Sequence, residues 1–291
     1  MKKNYGPAWY ALFTAPLLFV FVSVVLIPFF IGIGYSFFRW DGLPLNPKIF
    51  SGLGNFTRIA GDQRFLASAW HTVVFTFLTI VTVNTLGLSF ALMVTTDLKV
   101  RNAARTMLFA PYMIGGLILG YIWKFILGDA FRSIGERTGL TAVFFNWLLS
   151  PGSALLALTV VTTWQMAGYI MIIYITGIES IPGDVLEAAK MDGAGFWQIL
   201  FRIKFPLIMQ SFTICLFLSL SNCFKIFDVN FSLTGGGPYG STELFAINIY
   251  HEIFSLSNYG YGQAKAILFF LVVAVITLAQ VTVTKKREVE L

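Results

Sequence analysis

Charge is scarce in this sequence: Asp, Glu, Lys and Arg together make up 12% of its 291 residues, about half the share of an ordinary soluble domain. Histidine and cysteine are scarcer still, with two of each. The histidines, His71 and His251, lie far apart and have no partner pattern, and no spacing of metal ligands occurs. Cys215 and Cys223 are eight residues apart, about 12 Å along a helix, which is too far for a disulfide. They read as small apolar side chains. Gly235 and Gly240 have the separation of a phosphate-binding loop, but Ser241 stands where that loop needs its lysine. No nucleophile elbow and no zinc pattern appears, so the residues offer no enzyme constellation. Basic residues do not gather on a face interleaved with aromatics, so the net charge of +6 does not call for nucleic acid.

What the sequence has in excess is apolar: 57% hydrophobic residues, 30 of them Phe. A bilayer-crossing helix needs about 20 predominantly apolar residues. Six runs reach that length, over residues 9–38, 69–96, 106–127, 154–177, 207–228 and 263–284. Their continuity predicts helices, because barrel strands would be shorter and would alternate apolar with polar residues. The first run is too long for a secretory signal core and reads as an anchored span.

The basic residues divide unevenly between the intervening segments. Lys2, Lys3, Lys99, Arg101, Arg105, Lys190, Arg202, Lys204, Lys285, Lys286 and Arg287 fall on the side of the termini. Arg39, Lys48, Arg58, Arg64, Arg132 and Arg137 fall on the other. The positive-inside rule then places both termini in the cytoplasm. The expected architecture is an all-α membrane protein of six transmembrane helices forming one domain over residues 1–291, embedded in the lipid of the cell (plasma or inner) membrane.

The segment 180–206, on the inner side, is too long for a turn. Ser180 can cap a helix and Pro182 suits its first turn. Asp184 and Glu187 fall early and Lys190 late, as the helix dipole favours. Gly193 and Gly195 break that helix, a second follows from about Phe196, and Pro206 closes it. The residues alone leave two readings open, a partner-docking element or an interfacial amphipathic helix.

Within this segment Glu187-Ala188-Ala189, then Gly193, then Ile203 and Pro206, with Asp192 before the glycine, resembles the EAA signature of the permease subunits of binding-protein-dependent ABC importers. Phe205 replaces the usual Leu before the proline. The resemblance implies a cytoplasmic coupling helix between spans four and five, in which Glu187 meets a basic or polar group of an ATP-binding subunit and Gly193 permits a sharp turn. A second stretch looks like the outer loop of the sugar-importing branch, that of the maltose and glycerol-3-phosphate systems. It comprises Phe227-Asp228, then Leu233-Thr234-Gly235-Gly236-Gly237-Pro238, then Thr242. Gly54-Asn55-Phe56 with Asp62 and Phe65 is similar to that branch too, and the short first outer loop looks like its compact six-helix subunits.

The resemblance therefore implies a second homologous permease, two ATP-binding subunits carrying ATP and Mg, and an extracellular sugar-binding protein facing Gly235, Gly236, Gly237 and Pro238. The chain itself would hold no cofactor. Polar groups inside spans are expensive unless they face a cavity or a partner. Asn84, Gln165, Asn222, Lys225 and Asp228 are therefore candidates for a sugar pathway, with Tyr169, Trp164 and Phe224 as aromatic surface and Lys265 a further intramembrane charge. Lys225 and Asp228, three apart, can equally form a structural ion pair. An importer of a polyol phosphate, or a transporter driven by an ion gradient, is the alternative.

Overall fold

A computed structural model describes residues 7–96 and 99–286; Lys2, Lys3 and Arg287 of the charge count lie outside them. The chain is mostly helical (77%). Four helices are long and apolar enough to cross a membrane: α1 (Leu12–Ser36), α3 (Gln63–Val94), α6 (Pro151–Glu179) and α12 (Tyr259–Lys285). Two bent pairs bring the number of candidate spans to six if each pair is one span. They are α4 (Arg101–Met113) with α5 (Gly116–Thr138), and α8 (Phe196–Leu207) with α9 (Met209–Lys225). Shorter helices are α2 (Gly54–Ala60), α7 (Gly183–Met191), α10 (Asp228–Leu233) and α11 (Phe245–Tyr250). The one sheet among the described residues is a two-stranded ribbon, β1 (Phe38–Arg39) paired antiparallel with β2 (Ile49–Phe50).

Two expected spans are not straight. The run 106–127 bends by 95° between α4 and α5. Pro111 sits in a tight turn over Ala110–Met113, after which Ile114 and Gly115 are extended. Helix then resumes at Gly116 and continues to Thr138, well past the expected end at residue 127. The run 207–228 is preceded by a wide helical turn, Ile199–Lys204, ahead of Pro206, and bends by 72° at Ile208. A proline removes one backbone donor and crowds the carbonyl four residues back, so helices widen or break beside it. The same run stops at Lys225, because Ile226 is extended. His71, near the start of the expected run 69–96, stands eight residues inside α3, because that helix starts at Gln63.

The chain divides into two compact units. One contains residues up to Asp62 together with Ile249–Phe270; the other contains Gln63–Asn248 together with the stretch from Leu271 onward. In the larger unit α3, α6 and α9 pack around Val83, Ala91, Ile170, Tyr174 and Cys215, all fully buried. A second cluster joins Phe75, Leu119, Leu158, Cys223 and Leu233. Both cysteines are free and buried. Lipid tails are as apolar as leucine, so contacts between such helices rely on close packing of small residues. Gly116 and Gly120 serve that purpose: a Cβ on either would fall 2.9 Å from Asp228 Cβ or 1.9 Å from Ser232 Oγ, both in α10.

In the smaller unit Lys265 is fully buried and pairs with Asp62 at 2.8 Å and Glu252 at 2.6 Å. Tyr261 donates to Asp62, and the Asn258 amide donates to Glu252.

Candidate functional site

A polar cavity of about 270 Å³ opens in the larger unit where three chain segments change direction. Gly116 at the start of α5 forms one wall. Gln165 of α6 forms the second. Asn222 and Lys225 from the last turn of α9, with Asp228 opening α10, complete it. The interruption at Ile226 makes the site possible, since it frees the end of α9 from the start of α10. It also removes the helical spacing on which an ion pair between Lys225 and Asp228 depended, and no such pair forms. Both side chains are exposed to the cavity side. Gln165 has a second role: its amide donates to the Ile114 carbonyl at 2.9 Å, satisfying an acceptor that the bend leaves outside the helix ladder.

The structure thus gathers four of the five polar residues singled out as pathway candidates. Asn84 lies elsewhere, within a buried network. Its oxygen accepts from the Tyr174 hydroxyl at 2.9 Å, and its amide donates to the Ile80 carbonyl at 2.8 Å and to Ser219 at 3.3 Å. Tyr169 stacks on Tyr112, ring centroids 4.4 Å apart, and does not line the cavity. Trp164 contacts Trp123 edge-on. Phe224 is buried.

The segment before α9 has a definite local construction. Ser180 caps no helix start; its hydroxyl bonds back to Gly177 at the end of α6, and α7 begins after Pro182 with no side-chain cap. Helix α7 ends in a Schellman motif: Gly193 N–H donates to Lys190 O and Ala194 N–H to Ala189 O, both at 3.0 Å. Gly193 has φ +77°, the left-handed conformation that glycine adopts without penalty. Helix α8 then starts with Gly195 N–H bonded to the Gln198 side chain at 2.9 Å. Glu187, Ala188 and Asp192 are exposed, Ala189 is buried and Pro206 is half-buried. Arg105 of α4, absent from the candidates, reaches Glu179 at 2.6 Å, the last residue before this segment.

The loop 235–238 is anchored from within. Gly235 and Gly236 both have positive φ. The Thr242 hydroxyl donates to Gly237 O at 2.6 Å and lies 2.7 Å from Thr234 Oγ1, and Ser241 N–H donates to Pro238 O at 3.0 Å. Gly236 is buried and Gly235 exposed, while Tyr239 at the tip is 96% exposed.

Comparison with known proteins matches residues 84–289 to a family described as binding-protein-dependent transport system inner membrane component. The chain belongs to that family. This inner membrane component is 47% identical, over 97% of its length and 96% of the relative's, to the "Probable starch degradation products transport system permease protein AmyD" of Thermoanaerobacterium thermosulfurigenes. It is 31% identical to the "Trehalose/maltose transport system permease protein MalF" of Thermococcus litoralis, over 94% of its own length and 92% of the relative's. Among solved structures, a chain from a bacterial ABC transporter "involved in the import of the acidic polysaccharide alginate" superposes with a TM-score of 0.82 at 22% identity, covering 96% of this chain and 95% of that one, which shows a shared fold. Family and apolar helices together make this a multi-pass membrane protein and a transport permease rather than an enzyme.

Proposed function

We propose that this inner membrane component is a permease subunit of an ATP-driven importer that moves a sugar, an oligosaccharide by preference, from an extracellular binding protein to the cytoplasm. Membership of the binding-protein-dependent family carries the reading, and near-full-length relatives named for starch products and for trehalose and maltose supply the substrate class. In this reading the two bent pairs count as single spans. There are then six, forming one transmembrane domain with both termini cytoplasmic.

Helix α7 is the coupling helix. Glu187, Ala188 and Asp192 supply its exposed docking surface, and Ala189 anchors it to the spans. Gly193 and Pro206 set the two changes of direction that follow. A second permease and two ATP-binding subunits complete the assembly. The latter hold ATP and Mg and perform hydrolysis, and this chain needs no cofactor.

The sugar passes Gln165, Asn222, Lys225 and Asp228. Their two amides, one cation and one carboxylate can donate and accept hydrogen bonds without a net charge, as a neutral polyol requires. Asn84 and Tyr169 act behind that path, the first tying α3 to α6 and the second tying α6 to α4. The loop of Gly235, Gly236, Gly237 and Pro238 faces the binding protein. ATP drives transport only if the ATP-bound and empty assemblies differ in their contacts with α7.

Uptake into vesicles carrying the whole assembly tests the reading. Dependence on ATP and on the ATP-binding subunit is expected; uptake driven by a proton or sodium gradient instead would overturn it. Gly193→Val forces a β-branched residue into left-handed backbone and should cut substrate-stimulated ATP hydrolysis by about 10-fold. Gly193→Asn, which tolerates that conformation, should keep most of it. Equal activity of the two variants would show that φ at this turn does not matter. Asn222→Ala removes one hydrogen-bonding group, so uptake should fall by about 10-fold, measured as initial rate at limiting sugar.

A further inference from the structure

We propose that the smaller unit carries a binding site for the phosphate of an anionic phospholipid headgroup, built on Arg39 and Arg58. A cavity of about 330 Å³ is lined by both arginines, by Trp40 and Tyr261 as aromatic walls, and by Asp41 and Asn258. Every one of these residues belongs to the same compact unit. Neither guanidinium has an ion-pair or hydrogen-bond partner among the described residues; Arg58 lies over the Tyr261 ring at 4.2 Å.

Asp41, Asn258 and Tyr261 are already engaged. Asp41 accepts from Leu43 N–H at 3.0 Å and from the Asn46 amide, and these bonds hold its carboxyl below the usual carboxylate range. The Asn258 amide is bonded to Glu252, and the Tyr261 hydroxyl to Asp62. Asp62 and Glu252 both pair with Lys265, which leaves that cluster one negative charge behind the Tyr261 wall. What remains to meet a ligand inside the cavity is a pair of guanidinium forks and the Ser257 hydroxyl, with Asp41 the one carboxylate in the lining. Arginine forks match a phosphate with paired, charge-assisted hydrogen bonds.

Position identifies the source of the phosphate. Helix α1 ends at Ser36, three residues before Arg39, and α12 begins at Tyr259, directly after Asn258. Both spans therefore end at the level of the cavity. Tyr35, Trp40 and Tyr259 contact one another there, at centroid distances of 4.8 Å (Tyr35–Trp40) and 5.3 Å (Trp40–Tyr259). Lys48 lies over Trp40 at 4.4 Å. Aromatic clusters and cations at span ends mark the headgroup layer of a bilayer. A lipid phosphate is held at that depth by its own chains, whereas a free phosphate is not. A zwitterionic headgroup brings a cation of its own toward the arginines, so a net-anionic one is favoured.

The full chain, purified in detergent, would be titrated with phosphatidylglycerol and with phosphatidylcholine, and retained lipid counted by native mass spectrometry. One retained phosphatidylglycerol, bound at least about 10-fold more tightly than phosphatidylcholine, is expected. It should be lost in Arg39→Gln/Arg58→Gln and kept in Arg132→Gln, whose arginine pairs with Glu136 at 2.9 Å on a different unit. Equal affinity for the two lipids in the wild-type chain would overturn the proposal without any need for the variants to fold. So would unchanged retention in the double variant. Displacement of the lipid by inorganic phosphate at equal concentration would make the site one for free anions and would overturn the assignment to lipid.

Discussion

Lys265→Met should abolish stable assembly of the smaller unit, the largest loss expected from any single side chain here. Lys265 is completely buried and is held by two carboxylates at 2.8 and 2.6 Å. Removing the ammonium leaves Asp62 and Glu252 facing each other's charge, with hydrogen bonds from Tyr261 and Asn258 in its place. Breaking a buried pair from one side costs about 3–5 kcal/mol, since the stranded charge keeps its desolvation penalty. That is a large part of a typical folding free energy. Simple loss of a contact predicts something different from a stranded charge, and the two can be separated. In Lys265→Met/Asp62→Asn/Glu252→Gln no charge is stranded, and replacing a whole buried ionic group by neutral residues is often close to neutral. The triple variant should therefore melt nearer to the wild type than the single one does. Thermal unfolding of the detergent-purified chain, followed by circular dichroism, checks both. A single variant as stable as wild type, or a triple variant worse than the single, would refute this account.

Lys265 shows what a sequence reading can and cannot carry. That a lysine inside the apolar run 263–284 needs a partner follows from the cost of intramembrane charge. Its partners stand 203 and 13 residues away, and only the fold brings them together. Asn84 and Gln165 looked alike as polar residues in spans. The fold distinguishes them: Tyr174, 90 positions from Asn84 and easily taken for core, withdraws that amide into a network, while Gln165 turns to a carbonyl that exists only because the chain bends at Ile114.

Local features were more legible. The Gly193 turn, the helices on either side of it and four of the six long apolar runs all depend on neighbours within a few residues, and they stand as the residues suggested. The pairing of Lys225 with Asp228 failed for the opposite reason, because it assumed that one helix continued through Ile226. No proline or glycine at that position marks the stop.

Gly168→Ala should lower the stability of the larger unit and its transport together. A Cβ at this position would fall 2.0 Å from the Leu108 carbonyl oxygen and 2.8 Å from Phe109 Cα. These are backbone atoms, so no side chain can rotate away; α4 itself must withdraw from α6. Overpacking of this kind costs about 1–3 kcal/mol, and between membrane helices no hydrophobic drive restores the contact. The displacement also reaches the proposed sugar path. Gly168 lies three residues beyond Gln165 and shares its helix face, so pushing α4 away stretches the bond from Gln165 to the Ile114 carbonyl that steadies the bend. Gly152→Ala is the matched control. It lies in the first turn of the same helix with nothing within 4 Å of an added Cβ, and there glycine-to-alanine gains about 0.4–1 kcal/mol through the unfolded chain. Melting temperatures of the two variants should move in opposite directions, with uptake falling only for Gly168→Ala. Equal melting temperatures would show that α4 and α6 do not approach this closely. A Gly168→Ala chain that is destabilised yet transports normally would separate the bend at Ile114 from the path of the sugar.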